Sequence, residues 1–151
     1  MRIQVVMTLP REAVSVPLAR RAVSAALRVA GVDSDCLAEV EVALSEACTN
    51  VLCHATEGDA YEVAVNISDQ QLTMDVIDFG VGFDQLQPGF PMPDPTAESG
   101  RGLALMHAFT DQTVFDSVSG NGWVVHLTKQ LRWTPDAPSV AAPRLFTDGS
   151  V

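Results

Sequence analysis

Lysine is almost missing from this chain. Lys129 is the only one in 151 residues, and Lys plus Arg number 9 against 19 Asp plus Glu, a net charge of −10. A surface this acidic repels phosphate backbones, so nucleic acid is not an expected partner. A basic protein surface suits it better. Any phosphorylated ligand would need a cation and backbone donors, because basic side chains are scarce. Long apolar runs are absent too: none approaches the roughly 20 residues of a membrane-spanning helix, so no membrane is expected. The opening MRIQVVMTLPREAV has too short an apolar segment for a signal peptide, and a cytoplasmic location is the expectation. Cysteine is limited to Cys36, Cys48 and Cys53, with no CxxC pair. An odd count among apolar neighbours favours reduced, packed thiols over disulfides or zinc ligands. His54, His107 and His126 are scattered, so a metal cluster is not expected.

What is present reads as one domain of ordinary globular composition, 47% hydrophobic and 19% charged. Ile3 to Leu9, rich in β-formers and bounded by Pro10, predicts a strand. From about Val14 to Ala30 the apolar Val16, Leu18, Ala22, Ala25, Ala26 and Val29 keep helical spacing, and Gly31 stands where a C-cap glycine belongs. Asp33 or Ser34 then starts a long helix ending near Ala55, whose Leu37, Val40, Leu44, Ala47, Val51 and Ala55 recur at steps of three and four. Tyr61, Val63, Val65 and Ile67, then Leu72, Met74 and Val76, alternate about a turn at Ser68–Gln71 and predict a hairpin with one buried face. Gln85 to Gly100 holds four prolines without periodicity, the composition of an active-site lid. A short helix follows around Leu103 to Phe109, then a hairpin of Val114–Val118 and Trp123–Leu131 closed by Gly120-Asn121-Gly122. The order β-α-α-β-β-α-β-β predicts an α+β two-layer sandwich, a mostly antiparallel sheet with helices on one face. The domain is expected to span 1–133. The Pro- and Ala-rich residues 134–151 are expected to form a disordered tail.

Three short motifs carry chemistry. Glu46, Asn50 and His54 recur at steps of four beside the apolar stripe of the second helix. A carboxamide oxygen at Asn50 could serve as a Mg²⁺ ligand, since that ion takes one or two protein oxygens plus phosphates and water. A carboxylate one turn earlier, Glu46, could accept a proton from an attacking hydroxyl. Taken alone, the pair is more simply the solvated edge of an amphipathic helix. DFGVGFD, Asp78 to Asp84, places an acceptor at a strand end, with Gly80 and Gly82 where a flat base could approach the backbone. SGRGLALM, Ser99 to Met106, places glycines before a helix whose N-terminal N–H groups can hold an anion, and Arg101 adds a fixed charge. Each of these two is also an ordinary strand-to-loop or loop-to-helix junction, and each is weak by itself.

Their order and spacing carry more. LSEACTNVLCHA, DFGVGFD and GRGLALM, separated by a hairpin and a proline-rich lid, resemble the N, G1 and G2 boxes of the GHKL ATPase superfamily. SEACTN and the GRGLALM ending resemble the bacterial anti-sigma factor serine kinases, over roughly Met1 to Leu131. The resemblance implies the Bergerat, histidine-kinase-like ATPase fold, with ATP and Mg²⁺ as cofactors. It implies Glu46 as catalytic base and Asn50 as magnesium ligand. It further implies Asp78 as the adenine-recognising aspartate with Gly80 and Gly82 beside it, and Gly100, Arg101, Gly102 and Leu103 as the phosphate-side box. The implied function is phosphorylation of a serine on an anti-anti-sigma factor of the STAS type, together with sequestration of a sigma factor. A homodimer is implied as well, for which the N-terminal strand and first helix could offer an apolar surface. No phospho-acceptor histidine helix and no transducer domain occur in these residues, so a complete sensor kinase, a topoisomerase or a chaperone of the superfamily is not expected. The lid holds no lysine, which leaves a nucleotide-binding anti-sigma module with little turnover as the alternative.

Overall fold

The computed structural model of the protein describes residues 1–53, 60–79, 100–118 and 122–135. The elements are β1 (Arg2–Pro10), α1 (Ser15–Ala30), α2 (Ser34–Cys53), β2 (Ala60–Ser68), β3 (Gln71–Asp78), α3 (Gly100–Phe109), β4 (Gln112–Val118) and β5 (Gly122–Gln130). This is the expected order, and the described boundaries lie within about two residues of expectation except at α3, which starts at Gly100 and not Leu103, so Gly100, Arg101 and Gly102 form its first turn and do not precede it. The Thr56–Asp59 turn, Gly80 and Gly82, the proline-rich segment to Ser99, and the tail from 136 onward lie outside the described residues, as do His54 and Ala55.

Alternation of side chains builds the sheet. Five strands lie in the order β1-β2-β3-β5-β4, and every neighbouring pair is antiparallel. Tyr61, Val63, Val65 and Ile67 of β2 and Leu72, Met74 and Val76 of β3 all point into the core, each at most 3% exposed. The register sets Met74 opposite Leu127 and Val76 opposite Val125, so the inner face continues into β5. The β2–β3 connection is a two-residue turn with positive φ at both Asp69 (50°) and Gln70 (75°). Positive φ at both positions matches the right-handed twist of the flanking strands.

The helices cover that inner face. Gly31 ends α1 in the left-handed region at φ 96°. Its N–H bonds to the Leu27 and Arg28 carbonyls, and the Val32 N–H returns to Leu27. This is the glycine-closed helix end expected from the sequence. Asp33 caps α2, its Oδ1 accepting the Cys36 N–H at 2.8 Å. On α2 the expected stripe is the buried one: Leu37, Val40, Leu44, Ala47 and Val51 are at most 5% exposed. On α1 the expected stripe is wrong. Ser15, Ala19, Val23, Leu27 and Ala30 face inward, whereas Leu18 and Val29 are 51% and 82% exposed. Two apolar stripes overlap on this Ala-rich helix, and the one that carries Val23 and Leu27 packs against α2 and the sheet.

The lone lysine is buried on the helix face of β5. Lys129 Nζ donates to the Phe109 carbonyl at 2.7 Å and meets Glu39 Oε2 at 2.6 Å. Arg132 also contacts Glu39. Hydrogen bonds from Arg132 first, and then from Lys129, lower the Glu39 pKa. The chain after β5 is tied to the α1–α2 turn, with the Thr134 N–H donating to the Gly31 carbonyl at 2.8 Å and Val32 bridging Trp133.

Two of the three cysteines are packed as expected, but Cys53 is exposed at the end of α2. Burial pushes the Cys48 thiol up to about 12, partly offset by a hydrogen bond with Tyr61. Thiolate is the reactive form. A thiol-reactive probe at neutral pH is therefore expected to label Cys53 rapidly in native protein, and Cys36 and Cys48 only after unfolding. Peptide mapping of the labelled sites checks this.

Candidate functional site

The site is built on α2, where steps of four bring Glu46 and Asn50 onto one stripe. The stripe is no solvated edge. Asn50 is 6% exposed and Glu46 is half-buried, because α3 packs along α2 at this level. Gly102, in the first turn of α3, permits that approach. A Cβ there would stand 2.6 Å from Glu46 Oε2, inside any normal contact, so only a glycine brings the α3 backbone this close to the carboxylate. The N-terminal turn of a helix exposes unbonded N–H groups and the positive end of its dipole. Leu103 packs partly buried on the core, holding this turn in place. Arg101 is exposed.

Asp78, the last residue of β3, has no exposed surface. Burying a carboxylate is costly unless it is paired. Its charged partner among the described residues is Arg11, in the loop after β1, which donates from Nη2 to Asp78 Oδ1. Arg11 Nη1 also donates to the Val51 carbonyl at 3.3 Å. That carbonyl lies in the last described turn of α2, a position where a cation is favoured. Arg11 thus joins the ends of β3 and α2. Nothing in the sequence pattern singled it out; an arginine after a strand-ending proline carries no periodicity. Gly122, first in β5, completes this corner. A Cβ there would lie 2.4 Å from the Asp78 carbonyl oxygen and 3.1 Å from Phe79 Cα.

The structure thus brings Glu46, Asn50 and Gly102 together, with Leu103 behind them, and links Asp78 to the same helix through Arg11. Gly100 opens α3. Gly80 and Gly82 fall outside the described residues. Among the described residues no group of three or more His, Cys, Asp or Glu could hold a metal. The fitting cation is one that takes a single carboxamide oxygen and completes its shell with phosphate and water, as Mg²⁺ does. The Asn50 carboxamide and the glycine-containing first turn of α3 suit such an ion bound together with a phosphorylated ligand. Chemically, the arrangement offers a carboxylate acceptor, a hard oxygen ligand, helix-end N–H groups and a buried carboxylate.

Comparison with known proteins places this geometry. Residues 9–129 match the histidine kinase-like ATPase domain. An anti-sigma F factor of Pasteuria penetrans is 35% identical over 104 residues, 64% of this chain and 69% of that one. An anti-sigma F factor of Caldanaerobacter subterraneus subsp. tengcongensis is 32% identical over 101 residues, 63% and 71% of the two chains. Among solved structures, the RsbU and RsbW domains of a Mycobacterium tuberculosis protein match with a TM-score of 0.66 at 22% identity. That match covers 85% of this chain and 32% of the solved one, so this chain spans about a third of its length.

Proposed function

The chain belongs to the histidine kinase-like ATPase family, among relatives named anti-sigma F factors, and from that premise we propose that it is an ATP-binding anti-sigma factor with serine kinase activity. In this reading it sequesters a sigma factor and phosphorylates a serine of an anti-anti-sigma factor of the STAS type. The observation that carries it is the contact of Glu46 with the first turn of α3 at Gly102. A proton acceptor then stands beside helix-end donors suited to phosphate.

Glu46 accepts the proton of the serine hydroxyl. The serine oxygen bonds to the γ-phosphorus of ATP as the bond to the β–γ bridging oxygen breaks, and ADP leaves. Asn50 would hold Mg²⁺, which when bound neutralises phosphate charge. Backbone N–H groups at Gly100, Arg101 and Gly102 orient the phosphates, and the Arg101 side chain adds charge. Asp78 accepts from the exocyclic amino group of adenine; Gly80 and Gly82, which follow it in the sequence motif, are proposed to take part in binding the base. Self-association is part of the proposal: Val6 of β1, Val14 before α1 and Leu18 of α1 are each more than half exposed and offer apolar surface. No described helix is long and apolar enough to cross a membrane, and we place the protein in the cytoplasm.

A second reading, nucleotide-dependent binding with little turnover, is favoured by where the cations sit. Lys129 is buried against Glu39 and Phe109, and Arg11 is held by Asp78. Among the described residues Arg101 is then the cation at the head of α3. Partners captured with and without Mg-ATP, followed by a phosphorylation assay on what is recovered, separate the two. Serine labelling within minutes supports the kinase; nucleotide-dependent capture without labelling supports the binding module.

Gly102→Ala tests the carrying contact. The added methyl meets the free end of a Glu side chain, which can swing aside, so the fold is expected to survive with Tm within a few degrees of wild type. Displacing the base by a fraction of an ångström to an ångström is expected to slow phosphoryl transfer by about 10- to 100-fold. Transfer at the wild-type rate would remove Gly102 from the mechanism.

A further inference from the structure

Arg11 lies far from the three motifs in sequence, yet it holds a buried carboxylate and a helix end at once. Its side chain is 7% exposed and that of Asp78 is 0% exposed. The two are 67 positions apart. Its two terminal nitrogens serve different elements: Nη2 donates to Asp78 Oδ1, and Nη1 donates to the Val51 carbonyl one residue after Asn50. A guanidinium is suited to this, since its donors diverge in a fixed plane and its charge persists at all working pH. An ammonium is a single point charge and cannot span both acceptors in the same way.

We propose that Arg11 is a positioning residue of the nucleotide site, fixing the Asp78 carboxylate and the Asn50 end of α2 as one unit and thereby setting the preference for adenine. The proposal rests on the reading of Asp78 as the base acceptor. An ionised carboxylate has about four lone-pair directions, so it can accept from Arg11 and from an amino group together. Arg11 fixes the carboxylate's rotation and compensates its charge. Without it, a carboxylate with no exposed surface loses its charged partner Arg11 and the contact that this guanidinium makes with Oδ1. The Val51 carbonyl loses its Arg11 donor at the same time. A base that donates an amino proton to Asp78 loses most by this. A base with a carbonyl at that position has nothing to lose there.

The test compares Mg-ADP with Mg-IDP, which replaces the exocyclic amino group by a carbonyl, by calorimetric titration of the full chain. Wild type is expected to favour ADP by at least about 10-fold, as sites built to hydrogen-bond a ligand group do. Arg11→Ala is expected to bring the ratio below about 3, chiefly by weakening ADP, and Arg11→Lys to restore part of it. In an Asp78→Asn background, Arg11→Ala is expected to change ADP affinity by less than about twofold, because the two residues act through one contact. An unchanged ADP/IDP ratio in folded Arg11→Ala overturns the proposal. So does a full-sized Arg11→Ala effect in the Asp78→Asn background, which would mark a general structural role. Should Arg11→Ala not fold by circular dichroism, Arg11→Lys decides: a reduced ADP preference upholds the proposal and a wild-type ratio overturns it. Failure of wild type to bind either nucleotide would instead bring down the nucleotide-site reading itself.

Discussion

A Glu46→Gln protein is expected to bind Mg-ATP within about threefold of wild type and to phosphorylate its antagonist about 100- to 10,000-fold more slowly, the usual range for loss of a positioned general base. The amide keeps the size of the carboxylate and still fits beneath Gly102, so α2 and α3 should pack as before. What it loses is proton affinity. Glu46 approaches the α3 turn but is not held by the ion pair that holds Asp78, which makes the substitution structurally mild. Single-turnover transfer at saturating ATP, measured beside an equilibrium titration, separates chemistry from binding. Wild-type transfer in the folded variant would leave the anti-sigma binding module as the surviving function.

Gly122→Val is expected to give a large loss of stability from backbone crowding alone. Here the obstacle is backbone: the new Cβ would lie 2.4 Å from the Asp78 carbonyl oxygen. That oxygen cannot rotate away as a side chain can. Either β5 shifts from β3 at its first residue or the end of β3 moves, and both disturb the Arg11–Asp78 pair. A cost of roughly 2–4 kcal/mol is expected, combining overpacking with disruption of a buried ion pair. For a domain of this size that corresponds to a Tm lower by roughly 4–16 °C. Gly122→Ala should show a smaller loss of the same kind, since the Cβ itself makes the clash and valine adds bulk to it. Thermal unfolding followed by circular dichroism measures both. A Tm within about 1 °C of wild type in the valine variant would show that the corner yields freely.

The two substitutions probe features of unequal legibility in the sequence. The β2–β3 hairpin was readable because one of its faces packs against helices and the other does not, which imposes strict alternation. The α2 stripe was readable because bulky Leu and Val occupy it. On α1, alanines dilute the signal, and position alone cannot say that Leu18 is exposed while Ala19 is buried. That choice depends on what the helix meets. Glu46 and Asn50 could be named from motif order, but their burial could not, since it comes from α3, about a third of the chain away. Arg11 was illegible for the same reason, and more completely. Its role exists only where the β1 loop, the end of α2 and the end of β3 converge. The constraint at Gly122 comes from the strand beside it, so the glycine read as hairpin chemistry alone.

The placement of Lys129 has a practical side. The chain has one ε-amine, and it is 5% exposed and committed to Glu39 and the Phe109 carbonyl. Reagents and enzymes that acylate lysine therefore find almost no target on the native fold. The same scarcity makes acylation of Lys129 a report on opening of the β5–α2–α3 junction, readable by mass spectrometry as a single mass increment.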